Sequence, residues 1–371
     1  MIRFLKISGI ITGTTLGAGV FALPYIFLRS GSTLSFFYLV ALGAIIAGAH
    51  ALYWKTLLAV DGKEHLIGLA RNNLGKFWYW SGVFSIVAGL IFALVIYLIL
   101  GNGFIQLFLP GISPLAALLG FWAISALPLF FREARVLNFE LLAIILMVGI
   151  ILMIFFAALP TRDGFAPPVL PTIDFRTIFL PFGIVLFSLA GWTAIRPLYA
   201  SEGEAGEKKT PVAALFISMF FIAALYLMFI WGIFWSAGEI TEDTISGLLN
   251  WPAWKRGILG ILGVFALWTS YLPIGLEARS SLINDLRIRK PVAFFITIFL
   301  PLLLVLGGLD SFLRVVGLAG GVFLAIQYIL IGLVAGKVLA LRGAAKVFLN
   351  ILIAVFALAA VYEFYYFVAA D

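Results

Sequence analysis

No cysteine occurs among the 371 residues, so disulfides, thiolate metal sites and cysteine nucleophiles are all excluded. Histidine is almost missing as well: His50 and His65 are the only two. Charged residues make up 11% of the chain, less than half of their share in an ordinary soluble domain. The G-x-S-x-G and H-E-x-x-H patterns, which supply an activated serine or two zinc ligands one helical turn apart, do not occur, and neither does the phosphate-cradling G-x-x-x-x-G-K-S/T loop. An intramembrane hydrolase and an ATP-driven machine are therefore poor readings, and the chain is not expected to be an enzyme.

What is abundant is apolar surface. Hydrophobic residues account for 64% of the chain and mean hydropathy is +1.16, more than a water-soluble fold could bury. The formal net charge of +7 does not indicate nucleic acid, because the basic residues sit singly at the ends of apolar runs, where lipid headgroups and topology account for them. Arg3 and Lys6 precede an apolar stretch that continues to Leu28 without a small-residue cleavage site, so this stretch is expected to be a retained first helix.

Apolar runs of the length that crosses a hydrocarbon core of about 30 Å fall at 7–28, 34–58, 78–108, 115–131, 137–159, 177–199, 211–236, 256–278, 292–309, 312–336 and 346–369. The expected fold is an all-α membrane protein with about eleven transmembrane helices. With the amino terminus in the cytoplasm, only Arg29, Arg162, Arg176, Lys255, Arg256 and Arg314 of the 24 Lys and Arg lie outside. That asymmetry follows the positive-inside rule and places the carboxyl terminus outside. The proline-rich stretch from Ala158 to Asp174 reads as an irregular external loop. Asp61 to Gly75 reads as a short amphipathic helix on the inner interface, and Glu239, Glu242 and Asp243 as a solvated acidic loop.

Two spans carry the same irregular grammar. The first has glycine at 13, 17 and 19 and proline at 24; the sixth has Pro181, Gly183, Gly191 and Pro197. Glycine lowers helix propensity and proline removes a backbone donor, so each span should open. In lipid, an opened backbone is tolerated only where it is buried in protein or lines a cavity. Gly-x-x-x-Gly spacing also serves helix packing. Paired Gly/Pro breaks in two halves, however, point to the midplane site of an inverted-repeat transporter. Residues 1–160 and 175–338 would be the repeats of a single transporter domain, and 345–371 an additional eleventh helix.

Residues 14–25, T-T-L-G-A-G-V-F-A-L-P-Y, resemble the first-helix signature of the amino acid/polyamine/organocation superfamily, most closely its amino acid/auxin permease branch and the hydroxy and aromatic amino acid permeases. Further similarity follows in order: the L-G-K that closes residues 66–76, F-S-L-A-G-W at 187–192 with Glu202 beyond it, and A-L-W-T-S-Y-L at 266–272 followed by Gly275 and N-D-L at 284–286.

The resemblance implies a leucine-transporter-like 5+5 fold and a secondary active, cation-coupled symporter of neutral aliphatic or aromatic amino acids. It assigns the substrate to Thr15, Leu16, Gly17, Ala18, Gly19, Phe187, Ser188, Gly191 and Trp192, with the carboxylate on amides around Gly17 to Gly19 and the amino group on carbonyls near Leu16, Phe187 and Ser188. Phe187, Trp192 and Tyr97 would border the side-chain pocket. A coupling cation would meet the carbonyls of Gly13, Leu16 and Ala266 and the hydroxyls of Thr269 and Ser270. Five oxygens suit sodium, a hard ion, while the resemblance to the aromatic-permease type, many of whose members are proton-coupled, keeps both ions open. No other cofactor is implied; the partners are substrate, coupling cation and the bilayer of the cell membrane.

Ionisable groups within spans are functional candidates by default. Here they are His50, Glu140, Glu277, Arg279 and Glu363. A sensor that keeps the fold without turnover is the other reading, since fold does not fix function.

Overall fold

The computed structural model describes residues 2–62, 64–130, 136–158, 178–196, 198–199 and 211–369. The proline-rich stretch after Ala158, Pro197 and Glu202 lie outside the described residues. Among the described residues there are only helices, turns and bends. They run α1 Ile2–Thr15, α2 Leu23–Arg29, α3 Ser32–Ala59, α4 Leu66–Leu74, α5 Lys76–Phe108, α6 Pro114–Phe130, α7 Val136–Ala158, α8 Leu180–Leu189, α9 Val212–Ser236, α10 Ala253–Asn284, α11 Lys290–Leu306, α12 Phe312–Val338 and α13 Ala344–Ala369.

Among the described residues, six helices are individually long and apolar enough to span a membrane (α3, α5, α9, α10, α12 and α13), and α1 and α2 together form one span bent by 52°. The segments at α6, α7, α8 and α11 are shorter apolar helices. These segments fall where the eleven runs are expected. Large apolar side chains such as Phe37, Phe84, Phe220, Val361 and Phe364 stand more than half exposed, as lipid-facing groups do.

The fold is organised around α5, 33 residues and so about 50 Å long, which must cross the roughly 30 Å hydrocarbon layer at a tilt. It packs most extensively along α10. The two backbones approach because Gly260 and Gly263 leave room for Phe104 and Phe108; a Cβ on Gly263 would stand 2.2 Å from the Phe104 ring. Close approach through small residues is the usual way for helices to associate in lipid, where the hydrophobic effect gives them no reason to.

Three elements carry detail beyond their sequence patterns. α4 is a short amphipathic helix: Leu66, Leu69 and Ala70 are buried against α5 and α12, while Arg71, Asn72 and Asn73 stay exposed. Gly75, at φ 92°, then turns the chain sharply into α5, a backbone geometry that favours glycine. The acidic loop between α9 and α10 is likewise more than a solvated surface. Asp243 accepts bonds from the hydroxyls of Thr241 (2.8 Å) and Ser246 (2.7 Å) and from the Ser246 amide (3.2 Å). This internal bonding folds Thr244, Ile245 and Leu248 inward until they are buried. Finally, α12 is not a plain α-helix: residues Ala319–Leu324 form a π-helical stretch, a local widening that often marks functional sites.

Candidate functional site

Both interrupted spans open where their glycines stand. α1 ends at Thr15, Gly17 is extended at φ −145° and ψ −163°, and the chain resumes as a 3-10 turn over Ala18–Ala22 before α2. In the sixth span α8 ends at Leu189, Ala190 is extended at ψ 123°, Gly191 breaks the run at φ −147°, and a 3-10 turn covers Trp192–Ala194. The breaks face each other across close backbone contact. A Cβ on Gly19 would stand 2.7 Å from the Ser188 Cα and 2.9 Å from the Phe187 ring, and one on Gly191 would stand 2.3 Å from the Thr15 hydroxyl.

A broken helix leaves carbonyls without donors on one side and amides without acceptors on the other. Two phenols meet part of that need. Tyr226 of α9, fully buried, places its hydroxyl 2.6 Å from the Ser188 carbonyl and 3.1 Å from that of Thr15, so one proton is shared between the ends of α8 and α1. The Gly17 backbone also bonds this hydroxyl. Across the site, the Tyr328 hydroxyl of α12 takes backbone bonds from Gly191 and Trp192 and lies 3.0 Å from His50 Nε2. The two rings also stack, with centroids 6.0 Å apart. The Trp192 indole donates to the Gln327 carbonyl oxygen at 2.7 Å, and the Gln327 amide donates to the Ser85 carbonyl at 3.0 Å.

What these side chains leave unmet is informative. The first hydrogen bond of the turn after the first break runs from Val20 to Gly17, so the amides of Ala18 and Gly19 precede it and have no acceptor within the turn. Both residues line a cavity of about 2050 Å³. It carries the partial positive charge of a helix start, the arrangement that receives a carboxylate. Among the sequence-assigned substrate residues, Thr15, Leu16, Gly17, Ala18, Gly19, Phe187, Gly191 and Trp192 all line this cavity, together with Tyr97. Ser188 does not: its hydroxyl turns back onto the Ile184 carbonyl at 2.8 Å and its own carbonyl is taken by Tyr226.

Of the oxygens assigned to a cation, Gly13, Leu16, Thr269 and Ser270 belong to residues on the cavity wall, whereas Ala266 is buried behind it. The Thr269 and Ser270 hydroxyls both donate to the Ala266 carbonyl, at 2.9 and 3.0 Å. α1 packs on α7 and α9 and forms no substantial interface with α10. In this conformation the five oxygens are therefore split between two walls. No group of three or more His, Asp or Glu side chains gathers among the described residues.

The cavity is closed at one end and open at the other. At the closed end the Thr244 hydroxyl donates to the Phe21 carbonyl, and Phe21 is held edge-on by Phe104 (5.3 Å) and Phe229 (5.4 Å). At the other end the cavity runs out between α4 and the end of α10, past His65, Arg196, Glu277, Arg279 and Asp285. There, partial burial lowers the His65 pKa, and nearby Arg196 lowers it further against the opposing pull of Glu277 and Asp285. Burial raises that of Asp285, with His65 and the Ser281 hydroxyl opposing. A histidine whose folded pKa lies below the unfolded value of about 6.5 adds stability that is complete above that value and is lost as pH falls through it. The melting temperature of wild type minus that of His65→Asn is therefore expected to decline between about pH 7 and pH 5; a difference that stays flat would show that His65 is not held neutral.

No protein-family model matches the chain, and no curated sequence does. Solved structures do resemble it. MhsT in complex with L-phenylalanine aligns at a TM-score of 0.67 with 16% identity, over 97% of this chain and 97% of that one. Mhp1 in its inward-facing conformation aligns at 0.62 with 14% identity, over 92% of this chain and 77% of that one. A manganese transporter of Eremococcus coleocola, complexed with an aromatic bis-isothiourea substituted compound, aligns at 0.60 with 10% identity, over 98% of this chain and 87% of that one. With its two broken spans, its apolar helices and these neighbours, the chain is an integral membrane protein of the leucine-transporter-like fold.

Proposed function

We propose that the protein is a secondary active transporter of amino acids, most suited to neutral aliphatic or aromatic ones, and that it belongs to the amino acid/polyamine/organocation superfamily. The observation that carries this reading is the pair of acceptor-free amides at Ala18 and Gly19, presented to a cavity that also holds the second break. Backbone amides at a helix start grip a carboxylate, and the carbonyl end of the opposite break suits an ammonium group. Phe187, Trp192 and Tyr97 supply an apolar wall for a side chain. That MhsT is seen with L-phenylalanine supports a ligand of this kind.

The conformation fits one stage of alternating access. The end bearing α4 and the turn after α10 carries the basic excess of the cytoplasmic face, so a cavity open there and sealed by the Thr244 loop is inward-open. The amino terminus is then cytoplasmic and the carboxyl terminus extracytoplasmic. Residues 1–160 and 175–338 act as the two repeats, whose bundles rock around the breaks. Bringing the Gly13 and Leu16 carbonyls toward Thr269 and Ser270 would assemble the cation oxygens only when the inner side closes, which makes ion binding a condition of the outward stage.

A melting panel of the twenty amino acids on purified protein tests the substrate class, because a ligand that binds only the folded state raises its melting point. At least one neutral amino acid is expected to add several degrees and to be concentrated inside liposomes. Tight binding without flux would identify a sensor, and no stabilisation by any of the twenty would remove the substrate class.

A further inference from the structure

Glu363 stands inside α13 and is 5% exposed. Its carboxyl occupies a niche cleared by three glycines on two neighbouring elements. A Cβ on Gly183 of α8 would stand 2.4 Å from Oε1, one on Gly317 of α12 would stand 3.3 Å from Oε2, and one on Gly321 would stand 2.0 Å from Cγ. Any side chain at Gly183 or Gly321 would displace the carboxyl. Oε1 accepts the Gly183 amide at 3.2 Å, a donor in the first turn of α8, and this is the carboxyl's one hydrogen bond among the described residues.

Among the described residues, nothing facing the group carries a positive charge. α8 contributes no titratable side chain, and neither does the stretch 315–324 of α12. Arg314 lies just before that stretch and is exposed. From α3 the nearest titratable group is the Tyr38 phenol, against Phe182 at 6.3 Å, and α13 itself offers Tyr362, packed on Phe179 at 5.1 Å. A carboxylate without a cation partner in such a place is disfavoured against its neutral acid, so the niche suits a group that can carry a proton.

The same elements that build the niche also build the cavity wall. Phe187 follows Gly183 by one turn of α8, and Ala319 and Leu324 bound the π-helical stretch that holds Gly321; all three line the cavity. Gly320 touches both, since a Cβ there would meet the Gly183 carbonyl at 1.8 Å and Phe187 at 3.0 Å. A change in the charge of Glu363 is thus felt directly by one half of the broken sixth span and by the irregular turn beside it.

We propose that Glu363 is a proton-binding site that couples proton movement to substrate movement. The inference rests on the transporter reading above and adds a proton to its coupling ions. In the outward stage the carboxylate takes one proton from water, one helical turn below the start of α8. The neutral acid then fits the glycine niche and permits the inward-open packing. Loosening of the π-helical stretch returns the proton to water on the inner side. Only an oxygen–hydrogen bond forms and breaks.

The test uses Glu363→Gln, which keeps the acceptor for Gly183 and stays neutral, so it is expected to melt within a few degrees of wild type. In infrared spectra of wild type at neutral pH, a protonated carboxyl stretch that shifts in deuterium oxide should appear, and it should be missing from Glu363→Gln. In liposomes holding a pH-sensitive dye, an equimolar mixture of the twenty amino acids should acidify the lumen through wild type. Glu363→Gln should lose at least about tenfold of both that acidification and the accumulation driven by a pH gradient. Absence of the infrared band, amino acid uptake by wild type without acidification, or undiminished pH-driven accumulation by Glu363→Gln would each overturn the coupling role. No uptake of the mixture by wild type would instead overturn the transporter reading, and this one with it.

Discussion

Gly19→Val is expected to abolish uptake while Gly17→Ala leaves the protein folded, a contrast that separates the two tasks of the first break. At Gly19 the space for a side chain is already filled by the backbone of the sixth span, with Ser188 Cα 2.7 Å from the Cβ position and the Phe187 ring 2.9 Å away. Neither obstacle is the loose end of a flexible side chain, so the two broken spans must separate. Overpacking of this kind costs about 1–3 kcal/mol, and an obstacle made of backbone places the expected loss near the upper figure. At Gly17 the nearest atoms to a Cβ are the Thr15 carbonyl and the Tyr97 hydroxyl, both at 3.9 Å, and the extended backbone there suits any residue. A methyl group fits, but it projects into the space where a carboxylate approaches the Ala18 and Gly19 amides. Gly17→Ala should therefore melt close to wild type and show a smaller stabilisation by the best amino acid of the melting panel. If Gly19→Val melted and transported like wild type, the contact between the two breaks would have no part in the site.

Much of this site is legible in the sequence because the features that make it are expensive. Glycine and proline inside an apolar span disfavour a helix wherever they stand, so G-A-G at 17–19 and the Gly191 break announce themselves, and the helices around them follow from run length alone. The groups that make the breaks tolerable are not announced. Tyr226 and Tyr328 are two of 12 tyrosines on long apolar helices, and nothing local distinguishes a phenol that satisfies a broken backbone from one that packs. Their partners lie 38 and more residues away, a separation that only the packing of α9 and α12 closes. The Gly320–Gly321 pair hints at irregularity in α12, yet glycine pairs are also ordinary packing surfaces. Ser188 misleads in the opposite sense: a polar residue beside a break suggests a ligand contact, whereas its hydroxyl satisfies the preceding turn. Serine in a helix interior often bonds back to the carbonyl one turn earlier in this way. His50 is visible as a rare titratable group, but its task, set by Tyr328, is to support the second break from behind the cavity wall.

Tyr226→Phe is expected to weaken both breaks at once, because one hydroxyl serves the carbonyl ends of α1 and α8. Removing it leaves the Ser188 and Thr15 carbonyls facing a ring edge in a region with little water, and an orphaned buried acceptor costs about 1–3 kcal/mol. The 2.6 Å bond to Ser188 is the stronger of the two, so the end of α8 should suffer more than the end of α1. The ring itself remains buried, so no cavity term is added to the loss. Amide hydrogen exchange should then quicken around Leu16–Gly19 and around Ala190–Gly191, with exchange in the distant α5–α10 contact unchanged. Binding should weaken with it. The amides of Ala18 and Gly19 present a fixed target only while Thr15 is held, and ordering them on arrival of the ligand takes free energy from binding. A Tyr226→Phe protein with wild-type melting, exchange and substrate stabilisation would mean that the broken ends are satisfied elsewhere. A uniform rise in exchange over the whole molecule would mean that the hydroxyl supports the fold and not the breaks in particular.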